Sequence, residues 1–132
     1  MNAVINFQMI GKIDQYTFEL PYRDFAASLD SKLLFMGVDQ YSDRNLMKYI
    51  LNAAAEAERV LLILSGDEHA DLKNLHSMSE WVMSNKKKIF VLDLVNNTLS
   101  SRWSKILNDQ YCADMNEEIK KQFVRNALQV QK

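Results

Sequence analysis

Val60-Leu-Leu-Ile-Leu64 is an unbroken apolar run, and two similar runs, Leu33-Leu-Phe-Met-Gly-Val38 and Ile89-Phe-Val-Leu-Asp-Leu-Val95, lie on either side of it in the chain. A strand that is apolar on both faces is typical of the centre of a parallel sheet covered by helices. The runs begin at residues 33, 60 and 89, and a strand–helix–strand unit occupies about 30 residues. The spacing therefore predicts strand–helix units whose strands lie side by side and point the same way.

Amphipathic stretches separate and follow these runs. Apolar residues at helical spacing predict one helix over about 70–84 and another that begins at Asn97 or Thr98. The short segment Tyr111-Cys112-Ala113 is predicted to be an edge strand. Asp114 followed by Glu117 resembles a capping box and predicts the start of a last helix at that point.

The first 20 residues have a different pattern. Residues 4–10 alternate as an extended chain, and after Gly11 the segment 13–20 continues with aromatic and β-favouring side chains. A turn near Gly11 or Asp14 would fold these two stretches into an antiparallel hairpin at the edge of the sheet. The whole chain, residues 1–132, is thus predicted to be a single α/β domain: a three-layer sandwich with a mostly parallel sheet of 4–6 strands and an antiparallel N-terminal edge hairpin.

Composition limits the choice of partner and location. The chain has 132 residues, a formal net charge of −1, and one short run of like charge, Lys86-Lys87-Lys88, so no overall field attracts nucleic acid. No apolar run reaches the roughly 20 residues of a membrane span. The single cysteine, Cys112, excludes an internal disulfide and favours a reducing compartment. These observations predict a soluble cytoplasmic protein that binds no nucleic acid.

Polar residues follow the first two apolar runs, and the third run carries Asp93 and leads into Asn96. In open α/β sheets ligands gather at the carboxyl ends of the strands, so these residues are the candidate binding site. They are Asp39, Tyr41, Ser42, Asp43, Arg44, Asp67, His69, Asp93 and Asn96.

The same residues have two chemical interpretations. Carboxylates gathered at one edge are suitable ligands for Mg²⁺ and would serve phosphoryl transfer. Asp, Ser and Asn are also the preferred N-caps of helices, and these residues precede predicted helices. His69 and His76 lack the ligand spacing of a zinc site, and the chain has no phosphate-binding glycine loop. We therefore expect no metal and no cofactor.

The stretch Ile10-Gly-Lys-Ile-Asp-Gln-Tyr-Thr-Phe-Glu-Leu20, together with the order of elements over residues 4 to about 95, resembles the STAS domain of anti-sigma-factor antagonists, the SpoIIAA-like group. The resemblance implies an α/β regulatory domain that acts through a protein partner. In that family the serine of an Asp-Ser-x-Gly stretch is phosphorylated by a partner kinase. Here the matching region reads Tyr41-Ser-Asp-Arg-Asn45, with Ser42 and Asp43 inverted and without the glycine.

A second resemblance, to TIR-like domains, is based on the strand Arg59-Val-Leu-Leu-Ile-Leu-Ser65 followed by a helix with Glu80 and Trp81. It implies a nucleotide-processing enzyme. We interpret the chain as a non-enzymatic regulatory or protein-interaction domain that uses a partner or homodimer surface, with the 39–45 junction as that surface. The alternative is a small nucleotide- or Mg-dependent enzyme, TIR-like or phosphoryl-transferring, that uses the strand-end carboxylates.

Overall fold

The structure is a computed structural model that describes residues 1–7, 22, 24–29, 32–38, 52, 54–64, 79–94 and 101–128. The strands are β1 Asn2–Phe7, β2 Leu33–Val38, β3 Val60–Leu64, β4 Ile89–Asp93 and β5 Tyr111–Cys112. The α-helices within the described residues are Ser79–Ser84, Ser101–Leu107 and the C-terminal helix Glu117–Leu128. Residues 24–29 are also helical, and short 3₁₀ helices cover Lys86–Lys88 and Asn108–Gln110. Within these residues, no helix is both long enough and apolar enough to cross a membrane.

The five strands form one sheet in the order β2-β1-β3-β4-β5, and every pair of neighbours is parallel. This doubly wound order changes direction between β1 and β3. The three apolar runs form β2, β3 and β4, as predicted. The short edge strand β5 is confirmed as well.

The predicted antiparallel N-terminal edge hairpin is wrong. β1 lies inside the sheet, pairs in parallel with β2 on one side and β3 on the other, and separates those two strands. The physical reason is that Ala3, Val4 and Ile5 are all fully buried, so β1 needs cover on both faces and cannot serve as an edge. The proposed second hairpin strand, 13–20, lies outside the described residues.

Alternate side chains of the strands form two cores on opposite faces of the sheet. On one face Ile5, Leu62 and Val91 pack with Val82 and Leu107 from the helices Ser79–Ser84 and Ser101–Leu107. On the other face Val4, Leu61 and Leu92 pack with Ala26 and Val124, from residues 24–29 and the C-terminal helix. Helices therefore cover both faces, and the fold is the predicted α/β sandwich.

The register of the sheet sets which residues are level at its carboxyl edge. Phe7 pairs with Val38 on one side and Leu64 on the other, and Leu64 pairs with Asp93. Asp93 thus ends β4 in the last row of the sheet, next to the edge strand β5.

Candidate functional site

Asp93 is the predicted site residue that the structure describes. The others, Asp39, Tyr41, Ser42, Asp43, Arg44, Asp67, His69 and Asn96, lie outside the described residues. Asp93 is completely buried. Its Oδ2 accepts a hydrogen bond of 2.8 Å from the hydroxyl of Tyr111, across the junction of β4 and β5.

Tyr111 is a residue that sequence reasoning did not assign to the site. Burial raises the pKa of its phenol, and the hydrogen bond to Asp93 and the negative charge of that carboxylate raise it further. The phenol therefore stays protonated and keeps donating its hydrogen bond to Asp93. The pair joins the end of β4 to the start of β5.

A second polar group lies beneath the first turns of the C-terminal helix. The hydroxyl of Tyr22 donates a hydrogen bond to Oε2 of Glu117, and Nζ of Lys120 lies 3.8 Å from the other carboxylate oxygen, Oε1. Tyr22 and Lys120 are 3% exposed, whereas the side chain of Glu117 is 60% exposed. Burial and then the contact with Glu117 raise the pKa of the Tyr22 phenol. Glu117 thus connects two buried polar side chains to the surface.

Cys112 lies between these two groups and is 8% exposed. Burial is the largest cause that raises the pKa of its thiol; the charge of Lys120 acts in the opposite direction, and that of Asp93 adds to the rise. A thiolate is the reactive form of cysteine. Because burial keeps the thiol protonated, Cys112 fits a packing role better than a nucleophilic one.

The start of the C-terminal helix differs from the predicted capping box. Oδ1 of Asn116 accepts hydrogen bonds from the backbone N–H groups of Glu118 at 2.9 Å and Ile119 at 3.2 Å, so Asn116 is the N-cap. Asp114 instead accepts from the backbone N–H of Asn116 at 2.8 Å and shapes the turn before the helix. The prediction of Asp114 as the cap is wrong because the helix begins at Glu117, which puts Asn116, the residue just before it, in the position that accepts from the N–H groups of the first turn.

An open groove of about 480 Å³ lies between β5 and the C-terminal helix. Cys112, Ala113, Ile119 and Phe123 supply apolar lining. Polar lining comes from Tyr111, Asp114, Gln122 and Asn126. Ile119 is 47% exposed, and Met115, just before the helix, is 79% exposed.

Metal ligands are not clustered in this part of the molecule. Among residues 1–7, 22, 24–29, 32–38, 52, 54–64, 79–94 and 101–128, no group of three or more His, Cys, Asp or Glu side chains could hold a metal ion. The described site consists of two tyrosine–carboxylate hydrogen bonds, Tyr111–Asp93 and Tyr22–Glu117, beside a groove with apolar and polar lining. It can fix the β5 edge in position and present a rigid surface.

No protein-family model matches the sequence, and no curated protein matches it either. Among solved structures, the chain is similar to the lysine decarboxylase LdcF of Francisella novicida, with a TM-score of 0.54 and 14% sequence identity. The match covers 96% of this chain and 17% of the decarboxylase chain. Because the identity is so low, the similarity shows the α/β fold alone.

Proposed function

We propose that this chain is a non-enzymatic regulatory or protein-interaction domain that acts through a protein partner or a second copy of itself. The observation that carries the proposal is the groove between β5 and the C-terminal helix, which has Ile119 in its wall and the exposed Met115 beside it. Large apolar side chains exposed next to a concave surface are typical of interaction sites.

The chemistry of the groove supports a protein occupant. Its apolar lining includes Ile119 and Phe123, while the amides of Gln122 and Asn126 can donate and accept hydrogen bonds. Protein interfaces combine an apolar, aromatic centre poor in charge with polar groups around it. Gln122 and Asn126 already hydrogen-bond each other at 2.9 Å, so this polar part of the surface is ordered before anything binds.

The burial of Asp93 supports the same proposal. Its carboxylate is fully buried and accepts a hydrogen bond from the Tyr111 hydroxyl. A carboxylate in this environment stabilises the fold and is not open to a substrate, which favours a non-enzymatic domain. The STAS-like relationship and an interaction surface at 39–45 remain predictions. A cytoplasmic location is likewise a proposal, supported by the free, buried Cys112.

The test is photo-crosslinking in cells that make the protein at its natural level. A photoreactive amino acid at position 122 should give a discrete protein adduct, and the additional change Ile119→Asp should abolish it. The matched control places the same amino acid at Lys105, which is exposed on the helix that covers the opposite face. The absence of an adduct from position 122, both in cells and with the purified chain at high concentration, or an identical adduct from position 105, would contradict the proposal.

The alternative, a small nucleotide- or Mg-dependent enzyme of TIR-like or phosphoryl-transfer kind, is favoured by one observation. The sheet changes direction between β1 and β3, and open α/β sheets bind ligands at the carboxyl ends of the strands at such a point. A ligand present at 100 times its Kd stabilises the folded state by about 2.7 kcal/mol. A rise in Tm with Mg²⁺, nucleotides or NAD that survives Ile119→Asp would therefore favour the enzyme.

A further inference from the structure

The outer surface of the C-terminal helix, together with Met115 just before it, carries a stripe of exposed side chains with the half-buried Arg125 near its far end. Its members recur at intervals of three and four residues, which places them along one side of a helix. We call these residues the helix stripe: Met115, Glu118, Ile119, Gln122, Arg125 and Asn126. Three of them, Ile119, Gln122 and Asn126, also form one wall of the groove. A partner that covers the stripe would therefore cover the groove as well.

Charge is distributed unequally along the stripe. Glu117 and Glu118 occupy the first turn of the helix, and Arg125 occupies its last turn. Ile119 and Gln122, in the middle of the stripe, carry no charge, and the half-buried Lys121 beside them adds a second basic group toward the Arg125 end. A surface that is acidic at its start and basic toward its end is complementary to a copy of itself turned end for end.

We infer that the occupant of this surface is a second copy of the same chain, packed antiparallel along the helix stripe. The inference rests on the proposed function, which it makes specific. A twofold axis near Gln122 places Glu118 of each copy against Arg125 of the other. Met115 and Ile119, the exposed apolar residues of the helix stripe, then become covered on both copies. The contact is isologous and closes on itself, so it yields a dimer rather than a filament.

The other orientations are less favourable. Two parallel helices would bring the acidic turns together and the basic turns together, and like charges in an interface oppose association. Contacts within the chain already fix the position of the Arg125 side chain. Its Nη1 donates a hydrogen bond to Oε1 of Gln122 at 2.8 Å, and its guanidinium lies 5.5 Å from the ring centre of Phe25. These contacts hold its stem in place and leave donors for a carboxylate.

The expected dimer is weak. A helix of 12 residues is about 18 Å long, and a contact between two such helices falls below the roughly 1,200 Å² of total buried area found in stable interfaces. The measurement must therefore extend to high protein concentration. Sedimentation equilibrium of the whole chain, from about 1 μM to about 1 mM, covers the corresponding range of Kd.

The test is a charge swap. Glu118→Arg and Arg125→Glu should each raise the dimer Kd about tenfold or more, since each places like charges together twice in a symmetric dimer. The double variant, Glu118→Arg with Arg125→Glu, should restore the wild-type Kd. Lys105→Glu, a charge reversal on the opposite face, is the matched control and should leave the Kd unchanged. Circular dichroism and Tm of each variant show whether it is folded.

Each outcome decides the inference. Restoration by the double variant supports the antiparallel pairing. A monomer at every concentration, or a dimer whose Kd does not respond to either single reversal, overturns it. The proposed function would survive that result if the photoreactive amino acid at position 122 still formed an Ile119-dependent adduct with a different protein. If that adduct were also absent, both proposals would fail.

Discussion

The hydroxyl of Tyr111 donates a hydrogen bond of 2.8 Å to Oδ2 of the fully buried Asp93 and so links the edge strand β5 to the end of β4. β5 has two residues, and it pairs with β4 through Val91–Tyr111 and Leu92–Cys112. The Nε2 of Gln110 also donates to the carbonyl oxygens of Lys86 and Ile89, so the Tyr111–Asp93 bond is one of several side-chain contacts that hold this edge. The groove depends on that edge for one of its walls, whereas the C-terminal helix itself packs on β3 and β4.

Tyr111→Phe is expected to lower the free energy of unfolding by about 1–2 kcal/mol, because Asp93 loses one donor to a buried acceptor. Urea denaturation followed by circular dichroism measures the change. In a double-mutant cycle with Asp93→Asn, the two losses should be less than additive, since they remove the same bond. Fully additive losses would show that the two side chains act independently.

The raised pKa values of Tyr22 and Tyr111 predict that stability falls in alkaline solution. Tyrosine in an unfolded chain ionises near pH ~10. Because both phenols have a higher pKa in the folded state, their contribution is complete below that pH and is lost as the pH rises above it. The urea midpoint should therefore move to lower concentration above about pH 10.

Absorbance at 295 nm gives an independent check on the same groups. Of the five tyrosines in the chain, Tyr22 and Tyr111 should ionise only as the protein unfolds. If all five ionise near pH ~10 while the circular dichroism of the native protein is unchanged, the proposed burial of these two phenols is incorrect.

Asn116→Ala is expected to destabilise the protein by about 1 kcal/mol, since the N–H groups of Glu118 and Ile119 lose their acceptor. Asn116→Asp should retain most of the stability, because aspartate is an equally good N-cap. The matched control is Asp114→Ala, which removes the single bond to the N–H of Asn116 and should cost less. A larger loss of stability for Asp114→Ala than for Asn116→Ala would contradict the assignment of Asn116 as the N-cap.

Lys120→Met is expected to leave stability unchanged or to raise it by about 1 kcal/mol. The ammonium of Lys120 is buried, and its ion pair with the exposed Glu117 is long, at 3.8 Å. A methionine of similar volume therefore removes the free-energy cost of burying a charge. Lys121→Met on the same helix is the control for a change in helix charge. A loss above about 2 kcal/mol in Lys120→Met alone would show that the buried pair is stabilising.

The sequence predicted the elements better than their arrangement. The runs at β2, β3 and β4 were recognisable because each is apolar on both faces. The same signal was present in Ala3, Val4 and Ile5, but the segment 13–20 suggested a hairpin and moved β1 to the edge. Which strand lies between which others depends on contacts distant in sequence, and a local pattern does not contain them.

The candidate site was predicted only in part, for a related reason. Asp93 was identified by its position at the end of an apolar run. Tyr111 was not, because its bond to Asp93 depends on the register between β4 and β5, and two residues of strand carry little periodic signal. The groove also requires the C-terminal helix to pack beside β5. No pattern marked it, because Ile119 repeats at helical spacing with Phe123 and so predicts an inward position, whereas it is 47% exposed.

The central place of β1 has a consequence for synthesis on the ribosome. Both strands that hydrogen-bond with it, β2 and β3, follow it in the chain, so a nascent polypeptide emerges with this central apolar strand still unpaired. That strand can be enclosed only after residue 64 has left the exit tunnel. Until then it is a natural target for chaperones, and a change that slows translation before that point would prolong the exposure.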